Sequence, residues 1–221
     1  MPDGVVHASV RLGDAEVHTL LGEIPRDPDL SLLTSTERAA AARMTPVRRA
    51  EFAFGRSLLR RAAALVLHRP VRELTPAEDT DGGPPRFAQA PGLGTSVSHS
   101  GGMAAVAVCM GAGVGIDVEP VTVPQAATLR RWASYPSYRG LAELEGAEQA
   151  RRFTRTWTVQ EACAKAVGEG LAARPWQIPV ESGRDQGAWG TVRWMRLESR
   201  QDLALAVATA PAGAHGREYS W

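Results

Sequence analysis

Asp117, Glu119, Glu161 and Lys165 are the side chains of this sequence best placed to do chemistry together. Asp117 and Glu119 alternate in Gly115-Ile116-Asp117-Val118-Glu119, which reads as a strand closed by Pro120. In a strand, Ile116 and Val118 take one face and the two carboxylates the other. Glu161 and Lys165 belong to Phe153–Leu171, FTRTWTVQEACAKAVGEGL, which reads as a helix. Phe153, Trp157, Glu161 and Lys165 then fall on one line, because residues four apart stack on one helix face. That stripe changes from aromatic to ionic, as expected of a helix leaving a core and entering a polar site. Three carboxylates and an ammonium suit a hard divalent cation and a phosphorylated substrate. Lys165 is the chain's one lysine, although an arginine-biased composition would leave the same residue alone without any role.

Other stretches must position these groups. Val5–Leu12 and Glu16–Leu21 read as strands running to a turn at Pro25 and Pro28, and Ser31 to Glu37 as a capped helix start. The Ala-rich helix that follows stops near Pro46. From Pro46 to His68, Phe52, Leu58, Leu59, Ala62, Leu65 and Val66 recur at three- and four-residue steps, the mark of a helix with one apolar face. Its other face carries Arg48, Arg49, Arg56, Arg60 and Arg61, either solvated or facing anions. Thr80–Gly94 reads as loop, and Thr95–Gly101 as a strand entering a tight turn. Ser98, His99 and Ser100 would put donors beside a glycine there, a place for a phosphate, although a lone histidine can equally be structural. Met103–Met110 reads as a buried strand and Gly111–Gly113 as a turn. Val121–Glu148 is irregular, and its Arg130-Arg131-Trp132 could cap a core or face a partner. Trp189–Leu197 and Leu203–Thr209 alternate as strands about a turn at Gln201-Asp202, before a loose tail, Pro211–Trp221.

The 221 residues suffice for one large domain or two of about 100. A net charge of +1 argues against bulk nucleic-acid binding. Cys109 and Cys163 have neither metal-site spacing nor a disulfide framework and read as small core residues. The start lacks a basic stretch followed by an apolar run, so no secretory leader is expected. The apolar run Met103–Ile116 is too short and glycine-rich to span a bilayer. A soluble, cytoplasmic monomer without membrane or nucleic-acid partners is the expectation.

Gly115–Glu119 followed by W-T-x-x-E-A-x-x-K-x-x-G-x-G-L (Trp157–Leu171) resembles the signature of the 4′-phosphopantetheinyl transferases. The length resembles their longer, surfactin-synthetase-activating (Sfp-type) branch. R-x-x-E-F-x-x-G-R (Arg48–Arg56) and S-H-S-G (Ser98–Gly101) are weaker matches, so the resemblance covers Arg48 to Leu171. It implies an α+β fold of two similar α/β halves related by a pseudo-twofold axis. Residues 1–110 would carry the contacts to the coenzyme A nucleotide, and 111–221 the metal site and catalytic helix. The implied activity is Mg²⁺-dependent transfer of 4′-phosphopantetheine from coenzyme A to a serine of an acyl, polyketide or peptidyl carrier protein, releasing adenosine 3′,5′-bisphosphate. The resemblance gives the metal to Asp117, Glu119 and Glu161, and catalysis to Glu161 and Lys165. It gives coenzyme A to Arg48, Arg56, Ser98, His99, Asp117 and Lys165, and to Arg86 in place of a basic residue the family often sets just after a glycine. The family usually has lysine before the glutamate; Gln160 stands here, which predicts weaker phosphate binding. Arg130-Arg131-Trp132 would dock the acidic helices of carriers. Two other readings are a non-catalytic coenzyme A- or nucleotide-binding regulatory module on the same fold, and another Mg²⁺-dependent phosphoryl transferase. The latter lacks a P-loop or kinase signature.

Overall fold

A computed structural model describes residues 4–77, 85–181 and 183–214, so Gly83-Pro84 of the loop and residues 215–221 of the tail lie outside it. The chain divides into two units, Met1–Ala112 and Gly113–Trp221, each with its own core.

In the first unit, β1 (Val6–Leu12) and β2 (Ala15–Glu23) form a hairpin closed at Gly13, whose φ of 61° suits glycine. Thr34 caps α1 (Ser35–Ala41) in a reciprocal box with Glu37, the predicted helix start. Thr45 caps α2 (Pro46–Leu67), which begins on proline, where the missing N–H costs nothing. β3 (Leu93–Ser100) and β4 (Met103–Met110) form a second hairpin. Its two-residue loop, Gly101-Gly102, has both φ angles positive, at 56° and 78°. The strands lie antiparallel in the order β1-β2-β4-β3. Leu58, Leu59, Ala62 and Ala63 of α2 pack with Leu20, Val106 and Val108 of the sheet. Two expectations for α2 fail. Leu65, assigned to the core face, is exposed, and Arg60, assigned to the solvated face, is buried.

In the second unit, β5 (Ala112–Pro120) precedes α3 (Ala126–Trp132) and α4 (Gly146–Ala166). A hairpin of β6 (Gln186–Trp189) and β7 (Val192–Arg196) and then β8 (Leu203–Pro211) complete a sheet ordered β5-β8-β7-β6. Gly190, at φ 56°, turns the chain inside Trp189–Leu197, so that stretch is the end of one strand and the whole of the next. α4 starts earlier than Phe153 because Glu148-Gln149-Ala150-Arg151-Arg152 are all good helix formers. It also stops before Leu171. Gly168, at φ 76°, donates to the Lys165 carbonyl, and Glu169 to that of Ala164, the paired bonds of a glycine-terminated helix. Leu203–Ala210 is buried throughout rather than alternating; β8 is a central strand of the sheet with α4 packed against it, and five of the eight residues are small alanines or threonine. Both units share an order: strand, long helix, then two strands of which the last pairs with the first (β2-α2-β3-β4 and β5-α4-β7-β8).

Candidate active site

The second unit brings its four predicted residues together through two glycines. Gly113, Gly115, Asp117 and Glu119 alternate on β5 and so share one face. A Cβ on Gly115 would stand 1.9 Å from the Ala162 carbonyl oxygen, and one on Gly113 2.3 Å from that of Ala166. Without those side chains the backbone of α4 rests directly on the strand. Farther along the same face, Asp117 meets α4, where the Lys165 ammonium donates to its Oδ1 at 2.6 Å and to the Ile116 carbonyl at 3.2 Å. Asp117 is 3% exposed, so this is a largely desolvated ion pair. Glu161, one turn earlier on α4, is pushed up to about 7, mainly by burial and then by the negative charge of Asp117. Lys165 opposes that rise and Glu119 adds to it.

Among the described residues, no three histidine, cysteine or carboxylate side chains are drawn in to metal-site distances. The donor chemistry nevertheless fits a hard divalent cation. Three carboxylates share one neighbourhood, and their mutual repulsion, visible in the displaced Glu161, is what such a cation relieves.

Gln160 is not at this site as expected. It is fully buried, its Nε2 donates to the Ile178 carbonyl at 2.7 Å, and its Oε1 accepts from the Tyr138 hydroxyl. Successive helix residues point about 100° apart, so Gln160 turns inward where Glu161 does not. Tyr138, given no role by sequence reasoning, is held above the usual phenol range by burial and by the charge of Glu161, which places it beside the acidic group. The aromatic end of the stripe is half-buried. Phe153 and Trp157 stack on Trp132 of α3, at 5.6 and 5.0 Å between ring centroids. Arg130-Arg131-Trp132 therefore divides, with the tryptophan in packing and both arginines exposed.

In the first unit, Arg48 of α2 and His99 of β3 do come together. The guanidinium donates to His99 Nε2 at 2.5 Å and to Glu51 at 3.2 Å. A guanidinium only donates, so Nε2 must hold a lone pair and the imidazole proton sits on Nδ1, 3.6 Å from the Glu51 carboxylate. Glu51 was missed, although it is the glutamate inside the Arg48–Arg56 pattern. His99 lies within the strand, not in the glycine turn, because β3 continues to Ser100. Ser98 is buried and points to the opposite sheet face by the pleat, so it does not join the Arg48 cluster. Arg56 pairs at 3.8 Å with Glu37, which also binds the buried Arg60 at 2.5 Å. Arg86 is exposed beside the bridge between Pro76 and Phe87.

An interlocked strand and helix presenting three carboxylates and a lysine, in a chain of two α/β units, define a polar site suited to phosphoryl chemistry. The model of the 4′-phosphopantetheinyl transferase superfamily matches residues 113–210, the segment holding all four groups. The 4′-phosphopantetheinyl transferase HetI of Nostoc sp. (strain PCC 7120) is 31% identical over 223 residues, covering 93% of this chain and 92% of its own length. The chain belongs to the 4′-phosphopantetheinyl transferase family.

Proposed function

We propose that this protein transfers the 4′-phosphopantetheine arm of coenzyme A to a serine of an acyl, polyketide or peptidyl carrier protein. The observation that carries this reading is the Asp117–Lys165 pair at 2.6 Å, one helical turn from Glu161, where α4 rests on the glycines of β5. The serine Oγ forms a bond to the phosphorus bearing the pantetheine arm. The phosphoanhydride bond breaks, and adenosine 3′,5′-bisphosphate leaves with the bond's electron pair. Glu161 takes the serine proton, directly or through a water. Lys165 neutralises a phosphate oxygen on the leaving side, steered by its bond to Asp117. Asp117, Glu119 and Glu161 would hold Mg²⁺, which supplies charge neutralisation for the pyrophosphate. Arg48, with His99 fixed as its acceptor, is proposed to meet the nucleotide phosphates; Arg56, Arg86 and Ser98, which stand apart from that pair, are proposed as separate contacts to coenzyme A.

We assign the chain to the Sfp-type branch. The family model spans one unit, while this chain has a second of the same element order, which supports two similar halves, 1–110 and 111–221. Among the described residues, no helix is long and apolar enough to cross a membrane. The test is mass spectrometry of apo-carrier protein incubated with the protein, coenzyme A and Mg²⁺. A phosphopantetheine mass increment is expected from the native chain and not from Glu161→Ala. Coenzyme A binding without any increment would favour the non-catalytic module.

A further inference from the structure

A cleft of about 1130 Å³ lies in the second unit, outside the acidic site, and sequence reasoning assigned it nothing. Arg151, Arg155, Arg184, Arg196 and Arg200 line it against Asp185 and Glu198; Glu181 and Asp202 pair with Arg184 and Arg200 from outside the lining, so five cations meet four carboxylates. The arginines differ in how they are satisfied. Arg155 pairs with Asp185 at 2.5 Å, Arg184 with Glu181 at 2.5 Å, and Arg200 with Asp202 at 2.9 Å. Arg196 is held by neutral groups: its Nε donates to the Arg155 carbonyl at 3.4 Å, its Nη1 to the Arg184 carbonyl, and its guanidinium lies 5.5 Å from the Trp194 ring centroid. Burial and the charge of Arg155 hold Arg196 down to about 10, with the Asp185 carboxylate opposing them. Met195, Leu197 and Leu203 give the same cleft apolar surface.

The position of the cleft is as telling as its charge. Val121, two residues past Glu119 on the β5 chain, and Thr158, one turn before Glu161 on α4, both line it. The elements that carry the acidic site therefore also form the cleft wall. At about 1130 Å³ it exceeds the roughly 300–1,000 Å³ of sites that enclose small ligands. Its cationic groups are spread over α4, the turn before β6 and β7, which suits several carboxylates on one segment better than a single anion.

We propose that this cleft docks the protein substrate, through an acidic amphipathic segment whose carboxylates meet Arg151, Arg184 and Arg196 while its apolar side lies on Met195 and Leu203. This rests on the reaction proposed above and names where its second substrate sits; the exposed Arg130 and Arg131 of α3 become the competing surface.

The test is fluorescence anisotropy of a labelled acyl carrier protein whose acceptor serine is replaced by alanine, so that binding is read without transfer. Arg151→Glu/Arg184→Glu is expected to weaken binding tenfold or more. Arg11→Glu/Arg72→Glu, an equal charge change on exposed first-unit residues, should weaken it less than twofold. In the transfer assay with unaltered carrier, the first variant should raise KM for carrier by a similar factor and leave KM for coenzyme A in place. Equal weakening by both variants, or loss through Arg130→Glu/Arg131→Glu instead, overturns the cleft while leaving the reaction standing. Absence of transfer from the native chain to any apo-carrier overturns the reaction, and arginine-dependent carrier binding would then still support the cleft. Circular dichroism of each variant checks that it is folded.

Discussion

Ionising Glu161 costs the folded chain stability. Its folded value of about 7 lies above the ordinary 4.5, so between those pH values the native state holds a proton that the unfolded state has released. Stability from this group is therefore present below about pH 4.5 and falls as pH rises, with the full cost reached above about pH 7. Discounted for partial exposure, that cost is roughly 2 kcal/mol. Glu161→Gln keeps the shape and removes the charge. It should lose transfer activity yet be about 2 kcal/mol more stable than the native chain near pH 8, with the gap closing toward pH 5. Urea midpoints at the two pH values read this directly; an unchanged gap would mean that the carboxylate is not strained. The inward Gln160 makes a contrast one residue away. A lysine there would bring an ammonium into the fully buried space between Tyr138 and the Ile178 carbonyl, a desolvation cost that the neutral amide avoids.

At the level of elements, the site depends on how closely α4 lies on β5. In Gly115→Ala the new methyl would collide with the Ala162 carbonyl, part of a helix backbone that has no rotamer to give way. The helix must lift, costing about 3 kcal/mol and separating Asp117 from Lys165. Chemical denaturation should show the loss, and transfer should fall further than stability alone explains. A methyl tolerated at both readouts would dismiss the glycine contact as the positioning device. Much of this was legible beforehand. The alternation of Gly115 to Glu119 and the four-residue spacing of Glu161 and Lys165 put these groups on one strand face and one helix face, and the family resemblance supplied the expectation that the two faces share a site. What sequence could not supply was depth. Nothing in the spelling of Arg60 distinguishes it from Arg61, yet Glu37, contributed by another helix, draws Arg60 inside. The early start of α4 was hidden too, because the residues after Gly146 carry helix propensity without an apolar stripe.

At the scale of the whole chain, duplication of the strand–helix–strand–strand order was only faintly legible, since the two units share topology and hardly any sequence pattern. Each has its own buried cluster, one around Leu58 and Val106, the other around Val159 and Val207's neighbours Ala206 and Ala208. A unit with its own core can lose it separately. The chain carries its own reporter for this, because all six tryptophans fall in residues 113–221. Tryptophan fluorescence thus follows the second unit alone, whereas far-ultraviolet circular dichroism follows both. The two transitions should not coincide in urea, and the variants should part them further. Gly115→Ala is expected to move the fluorescence transition to lower urea. Glu37→Gln removes the charge opposite the buried Arg60 and the capping carboxylate of α1, a loss of about 3 kcal/mol confined to the first unit. It should shift the circular dichroism curve and leave fluorescence where it was. Coincident curves in all three proteins would mean that the two cores unfold as one cooperative block, and the effect of Glu37→Gln would then appear in the tryptophan signal as well.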